Sequence, residues 1–364
     1  MLIYFIYLGL VTYEIYLIRN YRVEMKNNFV RKLDEKQIWA VIACLQLILL
    51  VGLRGYGVGA DMDTYLGALE YYRSMPWNEV LSAKLVSPYD FEIGYFVLTK
   101  LCAFFQMNNT IFLFVIAIII YVPVFIFIAR FSDYPELSIL IYFGMGLFTY
   151  SLGIFRQMIA ISICLLGMNY IKERKLIKYV GIILLAMLFH TTAIVMLPLY
   201  FLYKLDMRIA VIGTIVAEVI GLLLGRPIIR LALVIFPKYA GFLGGKYDVI
   251  GGSYLMLILL NMLLLLGIVT YKYYHDDSFT FKLSLIGLMI AIILQSIGYS
   301  MGIVGRIVPY YTVYCMVVIP NSIFRWKGKL NKILYVFATI FFGLMFLYDI
   351  SGNIQRCGYQ FVWQ

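Results

Sequence analysis

Charge is scarce in this chain. Of its 364 residues only 13% are Asp, Glu, Lys or Arg, about half the share usual in soluble domains. Histidine is scarcer still, with two. The five cysteines are scattered: Cys44, Cys102, Cys164 and Cys315 lie in apolar runs, and Cys357 lies near the end. No CxxC or HxxxH spacing occurs, which excludes structural zinc and a disulfide framework. The shortage of charge also excludes a soluble globular enzyme and a disordered chain. What fills the chain is apolar: 63% of residues are hydrophobic and mean hydropathy is +0.90. These residues come in runs of about 15 to 25, long enough to cross a bilayer repeatedly. The fold class is therefore all-α, a polytopic integral membrane protein whose helices share one bundle over residues 1–364.

The net charge of +11 would raise nucleic acid as a partner in a soluble protein. Here the basic residues sit in short breaks between apolar runs, where positive-inside topology and anionic headgroups account for them. Nucleic acid is not expected. Leu2–Ile18 has neither a basic leader nor a small-residue cleavage site and reads as a retained first helix. The break Arg19–Lys36 carries six Lys/Arg and is expected inside. Residues 38–53 then cross outward to a long outer segment, 54–90, with an amphipathic helix. Placing the basic break Lys172–Lys178 inside requires the run 92–105 to lie re-entrant or flat. That run carries Glu92 and Lys100, which are costly in lipid. Residues 176–203 read as two half-spans meeting outside at His190. A second outer segment, 225–253, holds Arg226, Arg230, Lys238 and Lys246 among glycines. The count closes at about twelve transmembrane helices with both ends outside. No internal repeat is visible.

This topology gathers Arg54, Asp61, Asp63, Glu92, Arg156, His190, Arg226, Arg230 and Arg306 on one outer face. Arginine there opposes the general charge bias and needs a reason. Its planar fork suits phosphate oxygens, so Arg54, Arg156, Arg306, Arg226 and Arg230 are candidates to bind a diphosphate, against snorkelling or carboxylate pairing as the plainer account. The stretch Arg54-Gly55-Tyr56-Gly57-Val58-Gly59-Ala60-Asp61 resembles a nucleotide loop in its glycines, but no βαβ unit surrounds it. From Asp61 the pattern turns helical, with the aspartate placed to cap the first turn. Asp61-x-Asp63 offers a divalent cation only a weak site, so no cofactor is expected. His190 reads either as a packed core histidine or, beside Thr191 and Thr192, as a proton-transfer group. Tyrosines of the outer segments (Tyr56, Tyr65, Tyr71, Tyr72, Tyr89, Tyr310, Tyr311) suit interface belts or stacking on sugars. Arg306 and Tyr310, four apart, share a helix face if helix continues through Pro309.

Four ordered motifs carry a resemblance. Arg54 with Val58-Gly59-x-Asp61 and Tyr65, then Phe91-Glu92-x-Gly94-Tyr95, then Phe155-Arg156-Gln157-x-x-Ala160, then His190-Thr191-Thr192-Ala193 together resemble the EpsG family, Wzy-like exopolysaccharide and O-antigen polymerases. Ala60 and Met62 stand where members of that family often carry Thr. The resemblance implies a GT-C-like glycosyltransferase in the bacterial cytoplasmic membrane. It would polymerise undecaprenyl-diphosphate-linked repeat units at the outer leaflet, with a flippase and a chain-length regulator as pathway partners. On this reading Asp61, Glu92 or His190 is the base, the arginines hold the diphosphate, and Tyr65, Tyr72, Gln157 and Tyr310 contact sugar. An O-antigen ligase-like transferase and a lipid-linked oligosaccharide flippase are the alternatives.

Overall fold

The computed structural model describes residues 2–21, 34–76, 87–235, 240–241, 244, 253–353 and 357–364. Lys238, Lys246 and about half of the second outer segment lie outside the described residues, as do 22–33 and 77–86. Among the described residues the secondary structure is helical, with one isolated antiparallel bridge, Arg54 to Phe361. The chain divides into two compact units, residues 1–194 with 337–364, and residues 195–336.

In the first unit, α1 (Leu2–Tyr21) packs on α2 (Glu35–Gly52), and α2 packs on α5 (Asn109–Phe131). Between them lie α3 (Met62–Arg73) and α4 (Ile93–Phe104), which pack on each other. Then come α6 (Pro135–Gly144), α7 (Leu147–Ser151), α8 (Phe155–Leu166), α9 (Met168–Lys172) and α10 (Leu176–Met187). The Asp34 side chain caps α2 in a full capping box, and Asn108 caps α5 through the Ile111 N–H (2.9 Å). Asp61 occupies the N-cap position of α3 but its side chain makes no cap bond, contrary to expectation.

Side-chain pairs fix the level of each helix end. Lys36, at the start of α2, reaches Asp133 just past α5 (3.3 Å), and Arg19 at the end of α1 pairs with buried Glu136 (3.1 Å). At the opposite ends, Tyr56 Oη lies 2.9 Å from Thr110 Oγ1. The helices α2 and α5 are thus antiparallel spans. The chain between them begins and ends at one level, so it makes no net crossing, and α4 is not among the helices long enough to span. Its length agrees: 12 residues rise about 18 Å, against a hydrocarbon core of about 30 Å.

The second unit holds a one-turn α11 (Leu199–Leu202), α12 (Met207–Ile235), α13 (Tyr254–Tyr274), α14 (Phe279–Tyr299), a one-turn α15 (Pro309–Thr312) and α16 (Cys315–Arg325). Here α12 and α13 pack on α14. The last long helix, α17 (Gly328–Gly352), begins in this unit and ends in the first. A 3₁₀ turn, Gly302–Arg306, is separated from α15, and Pro309 starts a new helix, so the condition for Arg306 and Tyr310 to share a helix face is not met. Arg306 is exposed and Tyr310 is buried.

Among the described residues eight helices are long and apolar enough to cross a membrane. The remaining apolar runs are broken. Residues 137–152 split at Gly146 (φ +74°), 155–171 at Gly167, and 176–203 around His190, each into pieces of 12 residues or fewer.

Candidate active site

Arg54 organises the loop that opens the site. It is 1% exposed, and its guanidinium donates to three backbone carbonyls, Val51 (3.0 Å), Val58 (3.0 Å) and Leu152 (2.8 Å). Among the described residues no acid pairs with it, and burial lowers its pKa. The bond to Leu152 draws the glycine loop against the start of α8. Two glycines make the approach possible: Gly59 adopts φ +130° with Leu152 O where a Cβ would stand, and Gly153 lies against the Ala60 backbone. The C-terminal tail closes the other edge, since the Gly55 N–H donates to Gln360 O (2.7 Å) and the Val362 N–H to Leu53 O (2.9 Å).

This crossing sets Arg156 in the first turn of α8. Its Nη1 donates to Glu92 Oε2 at 2.6 Å and to Asp90 O at 3.2 Å, and its Cζ stands 5.0 Å above the Phe91 ring. Beneath lies an aromatic bed. Tyr65 stacks on Phe155 (4.6 Å) and abuts Tyr95 (5.3 Å), with its hydroxyl facing Arg156. Glu92 is the N-cap residue of α4, yet its carboxylate turns away from the helix. Its second oxygen, Oε1, lies 3.0 Å from His190 Nδ1, 3.3 Å from Thr191 Oγ1 and 3.4 Å from the Thr191 N–H. A backbone bond holds this register: the Gly94 N–H donates to Leu188 O (2.7 Å), where a Cβ on Gly94 would collide.

Glu92 therefore bridges a cation and an imidazole. Burial pushes its carboxyl pKa up, but the His190 hydrogen bond and the Arg156 charge outweigh this and hold it at about 2. Burial likewise works against the Arg156 charge, and Glu92 beside it raises the pKa nonetheless. An ionised carboxylate only accepts, so a neutral His190 facing it carries its proton on Nδ1 and keeps the Nε2 lone pair to accept. Side-chain exposures of 27% for Arg156, 22% for His190 and 13% for Glu92 leave the group open on one side. The first turns of α4 and α8 meet here, adding two positive helix ends to the Arg156 charge. The arrangement can take a proton at Nε2 while stabilising an anion beside the guanidinium.

The other sequence candidates fall elsewhere. Asp61 is exposed at the entrance to α3. Tyr65, Tyr72 and Gln157 are 2%, 0% and 2% exposed, and Tyr72 Oη lies 2.9 Å from Ser87 Oγ, so none of these three presents an open ring or amide face. Arg226 and Arg230 are exposed on α12 beyond its kink at Leu224; with Arg306 and buried Tyr310 they belong to the second unit. Among the described residues no group of three His, Cys, Asp or Glu side chains could hold a metal ion. Sequence reasoning passed over the Asp90 carbonyl and the tail 359–362, since a backbone acceptor and an antiparallel bridge leave no mark in residue type.

The family model for the EpsG family matches residues 37–362, a span that takes in the four motifs, the site they build and most of the tail. No curated protein and no solved structure matches the chain.

Proposed function

The chain belongs to the EpsG family of Wzy-like polymerases, and we propose that it polymerises undecaprenyl-diphosphate-linked oligosaccharide repeat units at the outer face of a bacterial cytoplasmic membrane. The observation that carries this reading is the Glu92 carboxylate, one oxygen on Arg156 and the other on His190. In the proposed step, a hydroxyl oxygen of the acceptor sugar attacks the anomeric carbon of the donor chain. The bond from that carbon to the diphosphate oxygen breaks. The hydroxyl proton passes to His190 Nε2, while Glu92 holds the imidazole in the accepting tautomer and stabilises the imidazolium. The lipid diphosphate leaves with one more negative charge, which Arg156 and the two helix ends meet. A single displacement inverts the anomeric centre. The broken helix pairs would complete about twelve crossings in a GT-C-like bundle.

Arg54 is not assigned to the diphosphate here, because its donors are spent on backbone carbonyls. We assign it to loop architecture. Asp61, exposed at the entrance to α3, is not used as the base.

The test is polymerisation by the purified protein, reconstituted with lipid-linked repeat units and no nucleotide sugar. A product ladder spaced by one repeat unit is expected. Arg156→Ala should abolish it, and Arg156→Lys, which keeps the charge and loses the fork, should retain only part. Full activity of Arg156→Ala at equal abundance would remove the diphosphate role. Transfer to another carrier without lengthening would instead indicate a ligase.

A further inference from the structure

The aromatic array that supports Arg156 continues past Phe91 to rings that reach the surface. The Phe91 N–H donates back to Tyr89 O (3.0 Å), a three-residue turn with exposed Asp90 at its apex. This turn folds Tyr89 and Phe91 into a stacked pair, centroids 5.7 Å apart and planes 25° from parallel. Tyr71, from α3, meets Tyr89 edge-on at 6.0 Å and is 38% exposed; Tyr89 itself is partly exposed. The position of Tyr89 is fixed from two sides. Its N–H donates to Ser87 Oγ (3.1 Å), and its hydroxyl fills the space over Gly67, where a Cβ would stand 2.7 Å away. Neither residue lies in a membrane-spanning helix.

From this placement we propose that Tyr89 and Tyr71, with Asp90 beside them, form a saccharide subsite that takes a pyranose ring of the lipid-linked repeat unit. The assignment rests on the polymerase reading above and adds to it where the sugar lies. The C–H face of a pyranose packs on an aromatic ring, and a tyrosine already pinned by its neighbours gives up little freedom on binding. The Asp90 carboxylate accepts from ring hydroxyls, while the Asp90 carbonyl takes a hydrogen bond from Arg156. One turn of chain thus joins the sugar subsite to the cation proposed for the leaving group. Arg156 Cζ stands 5.0 Å from the Phe91 ring, and the Tyr89 ring 5.7 Å from it.

The test uses the full chain in detergent and, as probe, the repeat-unit oligosaccharide released from its lipid by mild acid. Binding is read by saturation-transfer NMR and calorimetry, and elongation of lipid-linked units by the ladder assay. Tyr89→Ala and Tyr71→Ala should each weaken binding about tenfold, whereas Tyr89→Phe should keep it. His190→Ala should bind the saccharide as the wild type does while failing to elongate. Should Tyr89→Ala not fold, the exposed Tyr71→Ala carries the comparison. Wild-type affinity in a folded Tyr71→Ala or Tyr89→Ala, or no binding to the wild type, overturns the subsite. Saccharide binding by a wild type that makes no ladder would keep the subsite and sink the polymerase reading. A ladder with unchanged KM in Tyr89→Ala would do the reverse.

Discussion

Glu92 accepts from two partners at once, and that decides between it and His190 as the proton acceptor of the proposed step. A carboxyl held at about 2 is a weak base at neutral pH, and both of its oxygens are engaged. His190 Nε2 is the acceptor left. Removing it as His190→Ala should cost about two to four orders of magnitude in polymerisation rate, and Glu92→Gln about a hundredfold. A further consequence concerns stability. The Glu92 value lies below its ordinary 4.5, so its contribution to the folded state is complete above that pH and is lost as pH falls toward 2. Thermal stabilities of the wild type and Glu92→Gln should therefore converge between about pH 5 and about pH 3; parallel curves would contradict the assigned partners. Arg54 makes the opposite case. Arg54→Ala orphans three buried carbonyls, and since each costs about 1–3 kcal/mol the protein should lose folded abundance rather than show a raised KM. The sequence marked Glu92, Arg156 and His190 as candidates, each inside a motif. It did not show the bridge, because its members stand 64 and 98 residues apart. Nor did it separate Arg54 from Arg156, for a lone arginine in a loop reads alike whether its donors meet carbonyls or solvent.

At the scale of elements, α4 is held at its N-terminus by Gly94 against Leu188. Gly94→Ala places a methyl 2.8 Å from Leu188 O, so it should separate Glu92 from His190 and lower activity more than stability, overpacking costing about 1–3 kcal/mol. Retained full activity would mean the register is not set there. The non-crossing path of α3 and α4 has its own check. Cysteines placed at Asp90 and Met107, which flank α4, should react with a membrane-impermeant thiol reagent from the same side of sealed vesicles. Labelling from opposite sides would show that α4 crosses. Here hydropathy alone left two topologies, since a 12-residue apolar helix reads alike buried beside α3 or set in lipid. Charge counting favoured the one that Lys36–Asp133 and Tyr56–Thr110 support. The breaks at Gly146 and Gly167 were not legible, because an apolar run does not report a backbone turn within it.

For the whole molecule, composition alone gave the helical membrane class, but the return of the C-terminal tail to the Arg54 loop had no sequence signal. Tyr359 Oη donates to Leu50 O (2.9 Å), and the Arg54–Phe361 bridge joins residues 307 positions apart. Deleting residues 358–364 should lower the melting temperature of the protein and reduce its polymerising activity, because the loop that seats α8 loses its outer edge. The central proposal is that this family member joins lipid-diphosphate-linked units with His190 as base. The direct measurement is the rate of ladder growth at saturating lipid-linked substrate, wild type against His190→Ala, with both proteins shown to be folded and to bind substrate. A wild-type ladder and a loss of at least about a hundredfold in the variant is the predicted result. Equal rates, or no ladder from the wild type, would contradict it.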